Sequence, residues 1–175
     1  MEQYRQLHFA FTVSTLMICV TVLMFSLLHK RTEKPQNKVF LSMIIIIALN
    51  CVCEITVTTL APMSKSSSAI FVITDYTRLA YFLLHNALAP LFFYYVACVC
   101  GAISKLNKKQ SFFYFSIFGL SELAVALNPL TRWIYTYEPQ TLEFKRQWAE
   151  ATIYISGGVY FSLAAMMLMF SWDAL

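Results

Sequence analysis

Residues 39–60 read VFLSMIIIIALNCVCEITVTTL and contain one charged residue, Glu54. As an α-helix rising 1.5 Å per residue, this stretch is about 33 Å long, enough to cross a hydrocarbon core of about 30 Å. Four further apolar stretches flank it, at 9–28, 79–103, 112–127 and 151–170. The sequence therefore predicts a single all-α domain over residues 1–175, a polytopic bundle of five transmembrane helices in a lipid bilayer.

The composition agrees with a membrane protein. Hydrophobic residues make up 59% of the chain and charged residues 13%, a balance that excludes an ordinary soluble domain. The first apolar stretch leads into a basic loop rather than a small-residue cleavage site, which predicts a retained helix instead of a signal peptide. The net charge of +4 arises mostly from short loops, so nucleic acid is not an expected partner.

All five cysteines lie within apolar stretches, where a thiol behaves as a small hydrophobe. Cys51 with Cys53, and Cys98 with Cys100, are two residues apart, which on a helix directs the thiols about 200° away from each other. Two thiols with that spacing cannot bind the same metal ion, so we predict neither a metal site nor a cofactor. A nucleophile–base constellation, an HExxH motif and a glycine-rich phosphate loop are also missing from the sequence, so this segment is not expected to be an enzyme.

Two segments between the apolar stretches differ from simple loops. Residues 69–74 form an apolar run too short to cross a membrane, and are predicted to lie at the interface, separate from the third span. Residues 131–146 contain two β-prone runs around the turn Glu138–Thr141. They predict a small β-hairpin within an extracellular loop, residues 128–149.

The loops also differ in their density of basic residues. Those after the first and third spans hold seven: Lys30, Arg31, Lys34, Lys38, Lys105, Lys108 and Lys109. The other side holds six, spread over longer segments: Arg5, Lys65, Arg78, Arg132, Lys145 and Arg146. Because cytoplasmic loops retain Lys and Arg, the denser side is predicted to be cytoplasmic. We therefore expect a multi-pass protein of the cell (plasma) membrane, with its amino terminus outside and its carboxyl terminus in the cytoplasm.

Three ionisable residues, Glu54, His85 and Glu122, lie inside the predicted spans. Counted from the outer ends of their helices, each is about 7 to 9 Å deep, so all three share one level. Asn50 is four residues from Glu54, and Tyr81 is four residues from His85. Each ionisable group therefore shares a helix face with a second polar side chain.

These polar faces predict an outward-facing pocket for a small extracellular ligand, roofed by the aromatic loop. The predicted ligand-binding residues are Asn50, Glu54, Tyr81, His85, Glu122, Trp133 and Tyr135. A structural interpretation stays open, in which Glu54 pairs with His85 while Asn50 and Asn86 link helices by hydrogen bonds. Glu122 is also near enough to its helix end to reach interfacial water. The aromatic residues of the loop equally fit an interfacial belt.

A different pattern marks the last span. Gly158, Ser162 and Ala165 form a stripe of small residues that lets a second helix approach closely. The stripe predicts helix packing, either within the bundle or across a homodimer.

Several features follow one another in a characteristic order: a basic entry into the second span, a late acidic residue, a polar third span with an internal proline, and an asparagine before the aromatic hairpin. The residues are Asn37–Phe40, Glu54, Tyr81, His85, Pro90, Asn128, Tyr154 and Tyr160. This order resembles the amino-terminal membrane regions of clostridial-type bacterial signalling proteins. The resemblance implies a seven-helix sensor with an external amino terminus, followed in the cytoplasm by a diguanylate cyclase (GGDEF), phosphodiesterase or histidine kinase domain.

The expected function is accordingly that of a membrane sensor or receptor, which binds an extracellular small ligand and passes a signal to a cytoplasmic output domain. The chain departs from the pattern in having five predicted spans and no output domain in its 175 residues, so we expect a portion of a longer chain or a shorter relative. The alternative is a small transporter or transporter subunit with an intramembrane polar pathway. An internal repeat would favour transport, and the sequence shows none.

Overall fold

The structure is a computed structural model that describes residues 2–28, 34–103, 107–138, 142 and 144–171. Most of these residues are helical. The helices are α1 (Glu2–Leu28), α2 (Pro35–Leu60), α3 (Ser68–Val99), α4 (Lys108–Ala126), α5 (Asn128–Thr131) and α6 (Ala151–Ser171). Single 3-10 turns at Ala61–Met63 and Trp148–Glu150 extend α2 and precede α6. The predicted all-α class is confirmed.

The number of transmembrane helices differs from the prediction. Within the described part of the chain, four helical segments are long and apolar enough to cross a membrane: Gln6–Leu28, Pro35–Met63, Ser68–Val99 and Trp148–Phe170. The predicted span 112–127 falls in α4, which opens with Lys108 and Lys109 and carries Glu122 near its end. With these charges α4 is not among the helices that are apolar enough, so the prediction of five such spans is wrong and four are found in the described part of the chain. The chain nevertheless runs along α4 from one end of the bundle to the other, because Tyr114 meets Phe93 and Glu122 meets Asn86.

The long helices alternate in direction, with α3 at the centre of the bundle in contact with α2, α4 and α6. Cross-helix contacts fix the directions: Asn50 of α2 meets His85 of α3, whereas Phe40 meets Tyr95, so α2 and α3 are antiparallel. α4 runs antiparallel to α3 in the same way. The bundle therefore has two ends, and the end that carries the loop between α5 and α6 is called here the hairpin end.

α3 is longer than predicted. Residues 69–74, expected to form a separate interfacial piece, belong to one continuous 32-residue helix that begins at Ser68. Nothing in 69–79 interrupts the hydrogen-bond ladder, and the hydroxyls of Thr74 and Thr77 bond back to carbonyls one turn earlier. The helix ends at Val99 rather than 103, because Gly101 adopts a left-handed conformation (φ 64°) that only glycine enters without strain.

The predicted hairpin is present. Strands β1 (Tyr135–Tyr137) and β2 (Phe144–Arg146) pair antiparallel, with Thr136 opposite Lys145. Asn128 is fully buried beneath them. Its side-chain oxygen accepts hydrogen bonds from the backbone N–H groups of Ile134 (2.8 Å) and Tyr135 (3.2 Å), and its amide donates to the Tyr135 carbonyl (3.2 Å). Most of the predicted turn, residues 139–141, lies outside the described residues.

Two apolar clusters fill the bundle. One lies under the hairpin and consists of Phe82, Val125, Ile134, Tyr135, Ala149 and Ile153. The other fills the opposite half and consists of Ala89, Phe93, Val96, Tyr160 and Ala164. The hydroxyl of Tyr160 donates to the Tyr114 carbonyl and accepts from the Phe118 backbone N–H, so this aromatic cluster also ties α6 to α4.

The orientation in the membrane stays a prediction. Several basic residues on which it rests lie outside the described residues, namely Lys30, Arg31 and Lys105.

Candidate functional site

Three of the predicted site residues lie together near the hairpin end. The amide nitrogen of Asn50 on α2 is 3.4 Å from Nδ1 of His85 on α3. The ring of Tyr81, one turn earlier on α3, stacks on the His85 ring at 5.7 Å between centroids with an interplanar angle of 11°. The matching polar faces of α2 and α3 therefore do meet, as their shared depth predicts.

Glu54 is held by α1 rather than by His85. The hydroxyl of Thr12 donates to Oε2 of Glu54 (3.2 Å), and Nδ1 of His8 lies 3.4 Å from Oε1. His8 and Thr12 are one turn apart on α1, and Thr12 is one of the few buried residues of that helix. Sequence reasoning missed both residues, although a polar pair spaced i, i+4 at the start of an apolar helix is a usable signal.

A cavity of about 230 Å³ opens beside Glu54. We call it the hairpin-end cavity, because α1, α2, α3 and β2 all contribute to its wall. Its polar and charged lining residues are His8, Glu54, Thr58, Arg78, Tyr81 and Arg146. Its apolar lining residues are Val57, Phe82 and Phe144. Charged groups from separate elements thus converge on one small space with an aromatic wall.

Arg78 is the central cation of the hairpin-end cavity. Its guanidinium carbon lies 3.9 Å from the centroid of the Phe144 ring and 5.8 Å from that of Tyr137. Its Nε is buried without a hydrogen-bond partner among the described residues. Burial raises the pKa of the Tyr137 phenol to about 12, so Tyr137 is neutral at physiological pH and does not balance the charge.

The neighbouring charged groups are paired elsewhere. Asp75, one turn before Arg78 on α3, forms an ion pair with Arg132 at 3.4 Å. Arg146, at the mouth of the cavity, pairs with Glu150 at 3.2 Å. Within the described ranges, no carboxylate lies within 4 Å of the Arg78 guanidinium nitrogens. Among the described residues, Arg78 is therefore the charged lining residue without a direct ion pair, and Asp75 acts on its charge only from beyond 4 Å.

Glu122 lies in a different place from the other predicted site residues. Asn86 donates to Oε2 of Glu122 (2.7 Å) and to the hydroxyl of Ser121 (3.0 Å). Ser121 in turn meets Ser156 of α6 at 3.4 Å. These four residues form a buried polar cluster that links α3, α4 and α6 and does not line the hairpin-end cavity.

The two aromatic residues predicted from the loop also lie outside the hairpin-end cavity. Tyr135 is 1% exposed, stacks on Phe82 at 5.4 Å and donates its hydroxyl to the Asp75 carbonyl, so it is a core residue. Trp133 is 52% exposed, and its ring lies 6.2 Å from that of Trp148, which is 73% exposed. An exposed tryptophan pair at this end of the bundle agrees with an interfacial aromatic belt.

The small-residue stripe of the last span does not pack within the bundle as a unit. α6 meets α3 instead through Gly157, Tyr160 and Ala164, and a Cβ at Gly157 would touch Ala89 at 3.9 Å. Ser162 and Ala165 are exposed on the outer face of α6. Gly158 lines a second, mostly apolar cavity of about 280 Å³ between α3 and α6, which His85 and Asn86 also border. The homodimer interpretation stays a prediction.

In comparisons of this chain with protein-family models, with curated proteins and with solved structures, no match was found.

Proposed function

We propose that this chain is a membrane sensor module that binds a small polar ligand in the hairpin-end cavity. The observation that carries the proposal is the convergence of charged residues from α1, α2, α3 and β2 on one cavity with an apolar wall. Ligand sites combine apolar surface with polar groups that fix orientation, and here six polar or charged residues and three apolar residues line the cavity. A volume of about 230 Å³ suits a ligand of few non-hydrogen atoms.

The arrangement of the walls supports sensing. α1 and α2 contribute His8 and Glu54, whereas α3 and β2 contribute Arg78 and Arg146. A ligand that contacts both walls binds best when α1 and α2 adopt one particular position relative to α3 and β2. It therefore shifts the population toward that arrangement, which is the physical basis of a transmembrane signal.

The separation of the hairpin-end cavity from the opposite end of the bundle favours sensing over transport. A transporter needs a polar route from the site to the opposite side of the membrane. Here the aromatic cluster around Phe93 and Tyr160, both at most 5% exposed, packs α3, α4 and α6 together in the opposite half. A separate cavity of about 350 Å³ lies between α1, α2 and α3 in that half, and it shares no lining residue with the hairpin-end cavity. The polar groups Glu54, His85 and Glu122 all lie on the hairpin side of that cluster. A site that is not joined to the cavity at the opposite end suits a receptor.

The orientation in the membrane and the cytoplasmic output domain are proposed from the sequence. The density of Lys and Arg in the short loops supports an extracellular position for the hairpin end, with the carboxyl terminus in the cytoplasm. The resemblance to clostridial-type signalling proteins supports a cytoplasmic output domain as the recipient of the signal.

Ligand binding in the cavity can be tested with a substitution that fills it. In nanodiscs, the full chain should be stabilised thermally by at least one member of a set of small carboxylic acids, amines, amino acids and sugars. Val57→Trp places a large side chain into the cavity and should abolish that stabilisation. Val52→Trp, at a 48% exposed position on the same helix, is the matched control and should retain it.

Two results would contradict the proposed site. One is a chain that no member of the set stabilises. The other is a stabilisation that survives Val57→Trp unchanged, because the compound would then bind elsewhere.

The orientation is testable with single cysteines introduced into a cysteine-free background at Lys34 and at Gln140. In intact cells, a membrane-impermeant thiol reagent should label the cysteine at 140 and leave the cysteine at 34 unlabelled. Labelling at 34 alone would invert the orientation and place the hairpin-end cavity in the cytoplasm.

A further inference from the structure

We infer that the ligand of the hairpin-end cavity is a small carboxylate with a short apolar body, and that Arg78 binds its carboxylate group. This inference rests on the proposed function and adds the chemical class of the ligand. Three observations support it: the charge balance of the cavity, the position of the Arg78 guanidinium group and the apolar part of the lining.

The charge balance leaves one group without a counter-ion. Glu54 is engaged by Thr12 and His8 on the α1–α2 wall, and Arg146 is engaged by Glu150. Arg78 has no carboxylate within 4 Å among the residues that the structure describes. A half-buried cation without a counter-ion is costly, and an anion that enters the cavity offsets that cost.

The position of the guanidinium group suits a carboxylate in particular. The guanidinium carbon lies over the Phe144 ring, 3.9 Å from its centroid, and this cation–π contact helps to hold the group in place. This contact leaves the terminal Nη1–Nη2 edge of the guanidinium for a ligand in the cavity, whereas Nε is buried and has no partner within the described part of the chain. A planar carboxylate accepts two parallel hydrogen bonds from such an edge, an arrangement that an alcohol or an amine does not reproduce.

The rest of the lining sets the size and polarity of the remainder of the ligand. Val57 and Phe82 provide apolar surface next to Arg78. The cavity of about 230 Å³ is smaller than the roughly 300 to 1,000 Å³ of sites for drug-sized ligands, so a chain of a few carbons fills it. A short-chain carboxylate satisfies both the cation and the apolar wall.

The chemical class of the ligand can be tested with four probes that have the same number of carbon atoms: butyrate, γ-aminobutyrate, butylamine and butanol. Binding to the full chain in nanodiscs is measured by titration calorimetry. Butyrate should bind more tightly than butylamine and butanol. Arg78→Gln should weaken butyrate binding by roughly 10- to 100-fold, the range expected for loss of a charge-assisted hydrogen-bonded pair. Lys145→Gln removes a cation of strand β2 that pairs with Glu138 and does not line the cavity, so it is the matched control, with a change of a few-fold at most.

Folding of the Arg78 variant is checked by the emission of Trp133 and Trp148, which lie beside the hairpin. If Arg78→Gln does not fold, a cysteine at Thr58 inside the cavity replaces it as the test. An anionic methanethiosulfonate reagent should then modify this cysteine faster than a cationic one, relative to the same ratio at Leu130→Cys, an exposed position at the same end. An equal or lower ratio at Thr58→Cys would overturn the inference.

Other outcomes separate this inference from the proposed function. Butylamine or butanol binding as tightly as butyrate would overturn the carboxylate class while leaving a ligand site in place. Tighter binding of γ-aminobutyrate that depends on Glu54 would replace the simple carboxylate by a zwitterion. Butyrate binding that persists in Val57→Trp would refute the cavity itself, and with it the proposed function.

Discussion

Replacing Asn128 by alanine should lower the free energy of unfolding by about 2 to 4 kcal/mol, because the change leaves several buried polar groups without partners. The Asn128 side chain is fully buried and makes three hydrogen bonds to the backbone of Ile134 and Tyr135. Alanine leaves two N–H donors and one carbonyl unsatisfied in a region that water does not reach. The loss should appear first in the hairpin and in the apolar cluster beneath it.

Asn107→Ala is the matched control for Asn128→Ala. Asn107 is the N-cap of α4, and its side chain accepts from the backbone N–H groups of Lys109 (2.8 Å) and Gln110 (3.0 Å). Water can replace these bonds at an exposed helix end, so the expected cost is about 1 kcal/mol. Unfolding of both variants in mixed micelles, followed by the fluorescence of Trp133 and Trp148, gives the two values. Equal losses in the two variants would show that Asn128 does not hold the hairpin.

The role of Asn128 illustrates what the sequence does not reveal. The Asn-Pro pair at 128–129 correctly predicts the end of a helical segment. Its side-chain partners lie six and seven residues further on, in a strand whose register depends on the packing of Tyr135 against Phe82. No local pattern encodes that contact, because it forms only when the hairpin folds back over α3.

Most of the fold follows from hydrophobic stretches of suitable length. The all-α class and the hairpin are predicted, and both ends of α2 and α6 and the end of α1 are predicted to within four residues, whereas α1 begins seven residues before the predicted span. The prediction was wrong for residues 69–78, because the sequence around Asp75 and Arg78 was expected to separate an apolar run at 69–74 from the third span. Both are instead accommodated in α3 by partners from the hairpin, Arg132 and Phe144, that lie far away in the sequence.

The same misinterpretation explains why part of the site was missed. Once 68–99 is one helix, Arg78 and Tyr81 are three residues apart and therefore face the same side. The sequence did place Glu54, His85, Asn50 and Tyr81 at one level, because depth in a span follows from counting residues. Which groups pair was not predictable, since the rotation of each helix about its axis is set by packing. Glu54 thus bonds to α1 rather than to His85.

A second large loss of stability is expected from Asn86→Leu, at about 2 to 3 kcal/mol, the cost of removing the hydrogen-bond donor of a half-buried carboxylate. Hydrogen bonds between membrane helices are worth only about 0.6 kcal/mol on average, because an unfolded chain in the membrane also finds partners. Asn86 is different because it is 3% exposed and donates to both Glu122 and Ser121. Leucine has a similar volume, so the lost hydrogen bonds, rather than a cavity, should dominate.

Glu122→Gln distinguishes the contribution of the Glu122 charge to stability from that of its hydrogen bond with Asn86. Glutamine keeps a carbonyl oxygen for the Asn86 amide and is cheaper to bury than a carboxylate, so its expected effect is within about 0.5 kcal/mol of zero. Steric-trapping or detergent-induced unfolding gives both free energies, and butyrate titration of the same samples monitors the hairpin-end cavity. Because the Asn86 cluster does not line that cavity, affinity should stay within a few-fold in both variants. A selective loss of affinity in Glu122→Gln, with stability unchanged, would instead return Glu122 to the ligand-binding residues and show that the cavity and the buried cluster act as one site.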